Sequence, residues 1–155
     1  MPNVLNAVAV AYAAAIRTID RAHWLALLLA RLAVGLLFLS TGLGKVHDLA
    51  KVTGFFEHLG IPAPAFNAVL VSYSELICGT LLVIGLLTRL STVPLGISMI
   101  VAICTAKRGD IHSVFDLVGA DEFTYLVVLV VIALLGPGWA ALDHLVSRRL
   151  TRPSS

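Results

Sequence analysis

The chain has 155 residues, the length of one domain, with 59% hydrophobic and 13% charged residues against the usual 45–50% and about 25%. A mean hydropathy of +0.96 is too apolar for a soluble domain of this size to cover its surface. A net charge of only +2, dispersed along the chain, excludes nucleic acid and other polyanions as partners. The sequence reads as an all-α integral membrane protein in contact with the lipid bilayer.

In chain order, residues 1–23 form an N-terminal extension. Arg17 and Arg21 follow its apolar run rather than precede it, which argues against a signal peptide. Val8, Tyr12, Ala15, Ile16 and Ile19 recur at helical spacing, so an interfacial amphipathic helix is expected. The membrane domain spans 24–146 and a basic tail occupies 147–155. A spanning helix needs roughly 20 apolar residues, and four windows approach this. They are Trp24–Gly44, Ala65–Leu87, Leu90–Ala106 with Pro94 read into its first turn, and a run from Glu122. The last is interrupted by Gly136-Pro137-Gly138, so it must bend and continue or restart as an interfacial helix.

Between the first two spans, Leu49, Val52, Phe56 and Leu59 fall on one helical face, with His47, Lys51 and His58 opposite. Gly60-Ile61-Pro62 then stops the helix. A short helix on the outer membrane surface is expected, either with a solvated polar face or as a lid over a site between the spans. Spans two and three must form a tight antiparallel hairpin around Thr88-Arg89, and Gly35, Gly42, Gly79 and Gly85 are suited to close helix packing. Four spans put both termini on one side. Six cations there (Arg17, Arg21, Arg89, Arg148, Arg149, Arg152) against four on the other (Lys45, Lys51, Lys107, Arg108) favour cytoplasmic termini, with Trp24 and Trp139 in a belt at that interface.

Two charges fall inside spans: Arg31 and Glu75. A charged side chain at a helix centre costs about 2.5–3.5 kcal/mol even on the lenient insertion scale, so the two are expected to pair and face the interior. The pair either sets helix register, or binds a polar head group or relays a proton. Ser72, Cys78 and Gly79 share Glu75's helical face and would line any pocket there. Lys45 reads as the outer end of span one, its stem snorkelling. His47, Lys51, His58, Lys107 and His112 complete a set of outer-face residues. They lack metal-ligand spacing, so no metal site is expected. By helical rise, Cys78 and Cys104 lie about 13 and 21 Å from one face. That mismatch predicts two buried, inert thiols rather than a bridge.

Together these residues resemble the DoxX family of small bacterial membrane proteins. The resemblance is carried by Arg31-Leu-x-x-Gly35, Gly42-x-x-Lys45, Gly60-Ile61-Pro62, Glu75-x-x-x-Gly79 and Gly85-Leu-x-Thr88-Arg89. Ala102, Glu122, Gly136-Pro137-Gly138 and Leu142-Asp143 follow in order, so it covers residues 28 to 146. A histidine common near the end of span three is replaced here by Lys107, with His112 further on. The resemblance implies a four-helix bundle in the bacterial cytoplasmic (inner) membrane. Relatives of the DoxD type resemble quinone-reducing subunits, and others are linked to redox-stress complexes. The chain has no dinucleotide fingerprint, haem motif or paired cysteines. A redox role would therefore use a lipid quinone and an oxidoreductase partner subunit. The residues also leave open a non-enzymatic scaffold, a small transporter and a homo-oligomer.

Overall fold

The computed structural model describes residues 2–136 together with Gly138 and Ala141. The basic tail, Trp139, and the Pro137 and Leu142-Asp143 parts of the motif lie outside them. Six helices form among the described residues: α1 (Pro2–His47), α2 (Leu49–His58), α3 (Pro64–Ile84), α4 (Thr88–Cys104), α5 (Val114–Gly119) and α6 (Asp121–Leu135). The extension and the first span are one uninterrupted helix, α1, of 46 residues. Trp24–His47 and Pro64–Ile84 are long and apolar enough to cross a membrane. Helices α4, with 17 residues, and α6, with 15, are shorter.

Helix α1 packs on α3, α3 on α4, α4 on α6, and α6 back on α1. The polarity is inverted relative to a soluble domain. Leu29, Leu36, Ile77, Leu90, Val93, Ile97, Val130 and Leu134 face outward, whereas Arg31, Ser72, Glu75, Thr88, Ser91 and Thr92 are buried. Lipid offers the outer side chains an apolar surround, while the interior holds the polar ones. Val34, Phe38, Leu82, Leu95, Leu129 and Ile132 form the apolar centre. Three of the buried hydroxyls bond within their own helices: Ser72 donates to the Ala68 carbonyl at 2.6 Å, Ser91 to Leu87 at 3.1 Å and Thr92 to Arg89 at 2.7 Å.

The α1–α3 contact is backbone on backbone. A Cβ on Gly42 would lie 2.5 Å from the Leu76 nitrogen, and one on Gly79 would lie 2.6 Å from that of Leu39. Gly35 sits less tightly against Val83, where a Cβ would lie 3.1 Å from its nitrogen. Each step along α1 is matched by an equal step back along α3, so the three contacts define one antiparallel register.

The hairpin between α3 and α4 turns through Gly85 and Leu87, both with positive φ (73° and 50°). Gly85 is required twice, by its left-handed backbone and because a Cβ there would lie 2.6 Å from the Arg31 Nη1. Pro94 falls in the second turn of α4 rather than the first, since the helix already begins at Thr88. Helix α6 stops at Gly136, whose φ of 85° breaks the helix. There the Arg89 guanidinium reaches the Leu134 carbonyl at 3.4 Å, placing a cation at the negative end of the helix dipole.

Helix α5 was not anticipated. Its signal is the capping box at Ser113 and Asp116, in which the Ser113 hydroxyl accepts from the Asp116 N–H at 3.2 Å. The Asp116 carboxylate accepts from the His112 and Ser113 N–H groups at 3.0 and 2.8 Å. These bonds, that of His112 foremost, hold its carboxyl below the ordinary value. A lowered folded-state value means the ionised form supports the cap. That support is complete above the ordinary carboxylate range and is lost as pH falls through the lowered value. The protection factors of the Ser113 and Asp116 amides, taken against the intrinsic exchange rate at each pH, should therefore be full at neutral pH and fall on acidification below about pH 4.

The glycine contacts make a second prediction. Gly42→Ala should destabilise the protein by about 1–3 kcal/mol, because the methyl meets backbone that cannot move aside. Gly44→Ala, with nothing within 4 Å of its Cβ, should be neutral or stabilising. Unfolding in detergent micelles measures both.

Candidate functional site

The register of α1 on α3 decides which charges can meet. It places Glu75 level with Leu43 and Arg31 level with Leu87, twelve residues or about 18 Å apart along α1. An Arg31–Glu75 pair is therefore out of reach, and that expectation is corrected. The sequence estimate measured both depths from a shared cytoplasmic plane. In the structure α1 runs on past the α3–α4 turn, so Arg31 sits at the end of α3 rather than beside its middle. Its side chain is 2% exposed and seated on Gly85.

Glu75 is instead held by α1 residues one turn apart. Its Oε1 accepts from the Lys45 ammonium at 2.5 Å and its Oε2 from the Thr41 hydroxyl at 3.1 Å. Thr41 also lies 3.2 Å from the Phe38 carbonyl. Lys45 thus turns inward to an ion pair rather than snorkelling outward. The pair is asymmetric: the Lys45 side chain is 33% exposed and that of Glu75 only 2%. One partner reaches the surroundings while the other is sealed in. Gly42 makes the arrangement possible, because its missing side chain lets the Glu75 backbone approach α1 to within reach of Thr41 and Lys45.

The ion pair lines a cavity of about 940 Å³. Leu70, Val71 and Glu75 of α3 form one side, and Ile97, Met99, Val101 and Ala102 of α4 another. Helix α2 contributes Val52, Phe55 and Phe56, and the chain after it Leu59 to Pro62. The apolar edge of α2 therefore walls a space between the long helices, which supports the lid reading. Asp48 caps α2 by accepting from the Lys51 N–H at 3.0 Å. Asn67 donates to the Pro62 carbonyl at 2.6 Å, tying the start of α3 to the chain that follows α2.

The remaining anticipated residues are dispersed. Ser72 and Cys78 do not line the cavity: Ser72 is buried and bonded to its own helix, and Cys78 packs against the apolar centre. Cys104 is exposed on α4, not buried as expected, because it ends the helix on an outward face. Of the outer-face set, Lys45 and Lys51 line the cavity. His47 contacts the Leu43 carbonyl at 2.9 Å, His58 is exposed in the last turn of α2, Lys107 is half-buried beyond α4, and His112 precedes α5. No three His, Cys, Asp or Glu side chains gather as a metal-binding group among the described residues. Thr41 was missed by sequence reasoning. Its signal was its spacing of four from Lys45, at the end of the Gly35–Gly42 stripe.

Lys45→Met strands the Glu75 carboxylate and should lower stability by about 3 kcal/mol, the low end for breaking a buried pair because Lys45 is partly exposed. Adding Glu75→Gln should recover most of that loss in the same detergent unfolding assay. Equal losses in the single and double variants would show that the ion pair is not the cause.

Comparison with known proteins identifies the family. A family model described as DoxX matches residues 26–108. The Mycobacterium tuberculosis "Uncharacterized membrane protein Rv3486" is 38% identical over 133 residues, covering 78% of this chain and 81% of its own. The Bacillus subtilis "Putative oxidoreductase CatD" is 36% identical over 121 residues, covering 77% and 85%. No solved structure matches the chain.

Proposed function

Since this chain belongs to the DoxX family of membrane proteins, we propose that it binds the head group of a lipid quinone as the membrane subunit of an oxidoreductase. Four helices, α1, α3, α4 and α6, cross the bacterial cytoplasmic membrane in this reading. In the same reading the termini are cytoplasmic and α2 lies on the outer side, the orientation that the six-to-four cation balance favours.

One observation carries the proposal. A ligand-sized cavity, walled largely by apolar side chains of α2, α3 and α4, is bordered by the Lys45–Glu75 ion pair between two spans. The space is of the size of small-molecule sites, about 300–1,000 Å³, and accommodates a ring and the first part of an isoprenoid tail. Its charges balance, Lys45 and Lys51 against Asp48 and Glu75, which suits an uncharged head group better than an anionic one. The name of the Bacillus subtilis relative points to the same class of chemistry.

A bound quinone supplies two-electron, two-proton chemistry, with the electrons delivered by a partner subunit. The residues of this chain supply position and protons. Lys45 Nζ, with N–H groups beyond the one given to Glu75, is the donor that orients a carbonyl oxygen, and Thr41 holds the other carboxylate oxygen. Glu75 keeps the ammonium of Lys45 in place. Lys45 can give up a proton inward at Nζ and regain one from the side it exposes. The apolar wall of α2 and α4 excludes bulk water from the ring.

Purification in mild detergent, lipid extraction and mass spectrometry test this, with wild type beside Glu75→Gln. Stoichiometric quinone in the wild type should fall about tenfold or more in the variant, as expected when a charge-assisted contact is lost. Absence of quinone from both would remove the redox reading in favour of a scaffold that anchors a partner.

A further inference from the structure

Helix α5 carries an exposed apolar face that no packing among the described residues covers. Val114 is 73% exposed, Phe115 88% and Val118 55%. Positions i, i+1 and i+4 lie on one side of a helix, so the three form a continuous patch. The opposite side is occupied: Leu117 is half-buried, and Asp116 is spent on capping the helix.

Helix lengths say what covers the patch. The contact of Arg89 with Leu134 and Gly136 makes the start of α4 level with the end of α6. The exposed Arg89 guanidinium holds that end at the head-group level. From there α4 rises about 26 Å and α6 about 22 Å, against roughly 30 Å of hydrocarbon. Both fall short at their far ends, and α5 joins those ends. A connection placed there lies at or below the hydrocarbon boundary, not above it. On the outward faces of α4 and α6, Ile100 and Val127 are likewise exposed.

We infer that α5 lies in the plane of the outer leaflet with Val114, Phe115 and Val118 against acyl chains, an interfacial anchor that completes two short spans. This rests on α4 and α6 both crossing the membrane. The capping box suits that position, because Asp116 finds donors in its own backbone where water is scarce. The bilayer, rather than another protein, is the occupant, since the depth of the patch follows from the span lengths alone.

Nitroxide labelling of the full chain in lipid nanodiscs tests the inference. In a Cys78→Ala, Cys104→Ser background, single cysteines are introduced as Phe115→Cys, Val127→Cys on the outward face of α6, and Glu57→Cys on exposed α2. The ratio of collisions with oxygen to collisions with an aqueous nickel chelate should be high at 127, low at 57, and shifted toward the 127 value at 115. A label at 115 as open to nickel as that at 57, with 127 still lipid-like, would overturn the anchor and leave the four-span reading intact. Nickel access at 127 would overturn the span on which the anchor depends. A label at 115 shielded from both agents would show protein, not lipid, against α5, and would also refute the inference.

Discussion

The structure depends on the close antiparallel contact of α1 with α3. In lipid, helices gain nothing by hiding apolar surface from one another, because the acyl chains are as apolar as leucine. What holds two helices is atomic contact, which is greatest where backbones touch. Gly35, Gly42 and Gly79 allow this, and each leaves a gap too small for a methyl group. A slip by one turn would set a side chain of one helix into the backbone of the other, so the contact fixes both register and distance.

The ion pair is a consequence of that register. Glu75 is buried because the α1 backbone covers it at Gly42. It is partnered because Thr41 and Lys45 flank the same point on α1. The cavity follows in turn. Helix α1 ends soon after Lys45, the chain reverses at Asp48, and α2 is laid across the space that α1 vacates between α3 and α4. A packing constraint at three glycines thus places the Lys45–Glu75 ion pair at the wall of the cavity.

The opposite end of the protein has a different character. Arg31 against Gly85 and Arg89 against the end of α6 put guanidinium groups where helix ends and turns meet. These groups close off helix termini and do not border the cavity. The two intramembrane charges that stood out in the sequence therefore serve separate ends of the protein, one structural in its surroundings and one facing a ligand-sized space.

Composition and hydropathy alone determined that the chain is an all-helical membrane protein, because no soluble surface can be built from 59% hydrophobic residues. Local pattern likewise determined α2, from its apolar spacing and the Gly60-Ile61-Pro62 stop, and the break after Leu135, from Gly136. The α5 helix was legible at Ser113 and Asp116 but was overlooked, since six residues are too few to show a period. Which charges pair was decided only by the tertiary structure. Depth within a span can be counted from a sequence, but the offset between two spans cannot, and an error of a few residues moves a side chain by a full turn. Lys45, placed by the sequence at a helix end, became the partner of Glu75 because three glycines set that offset.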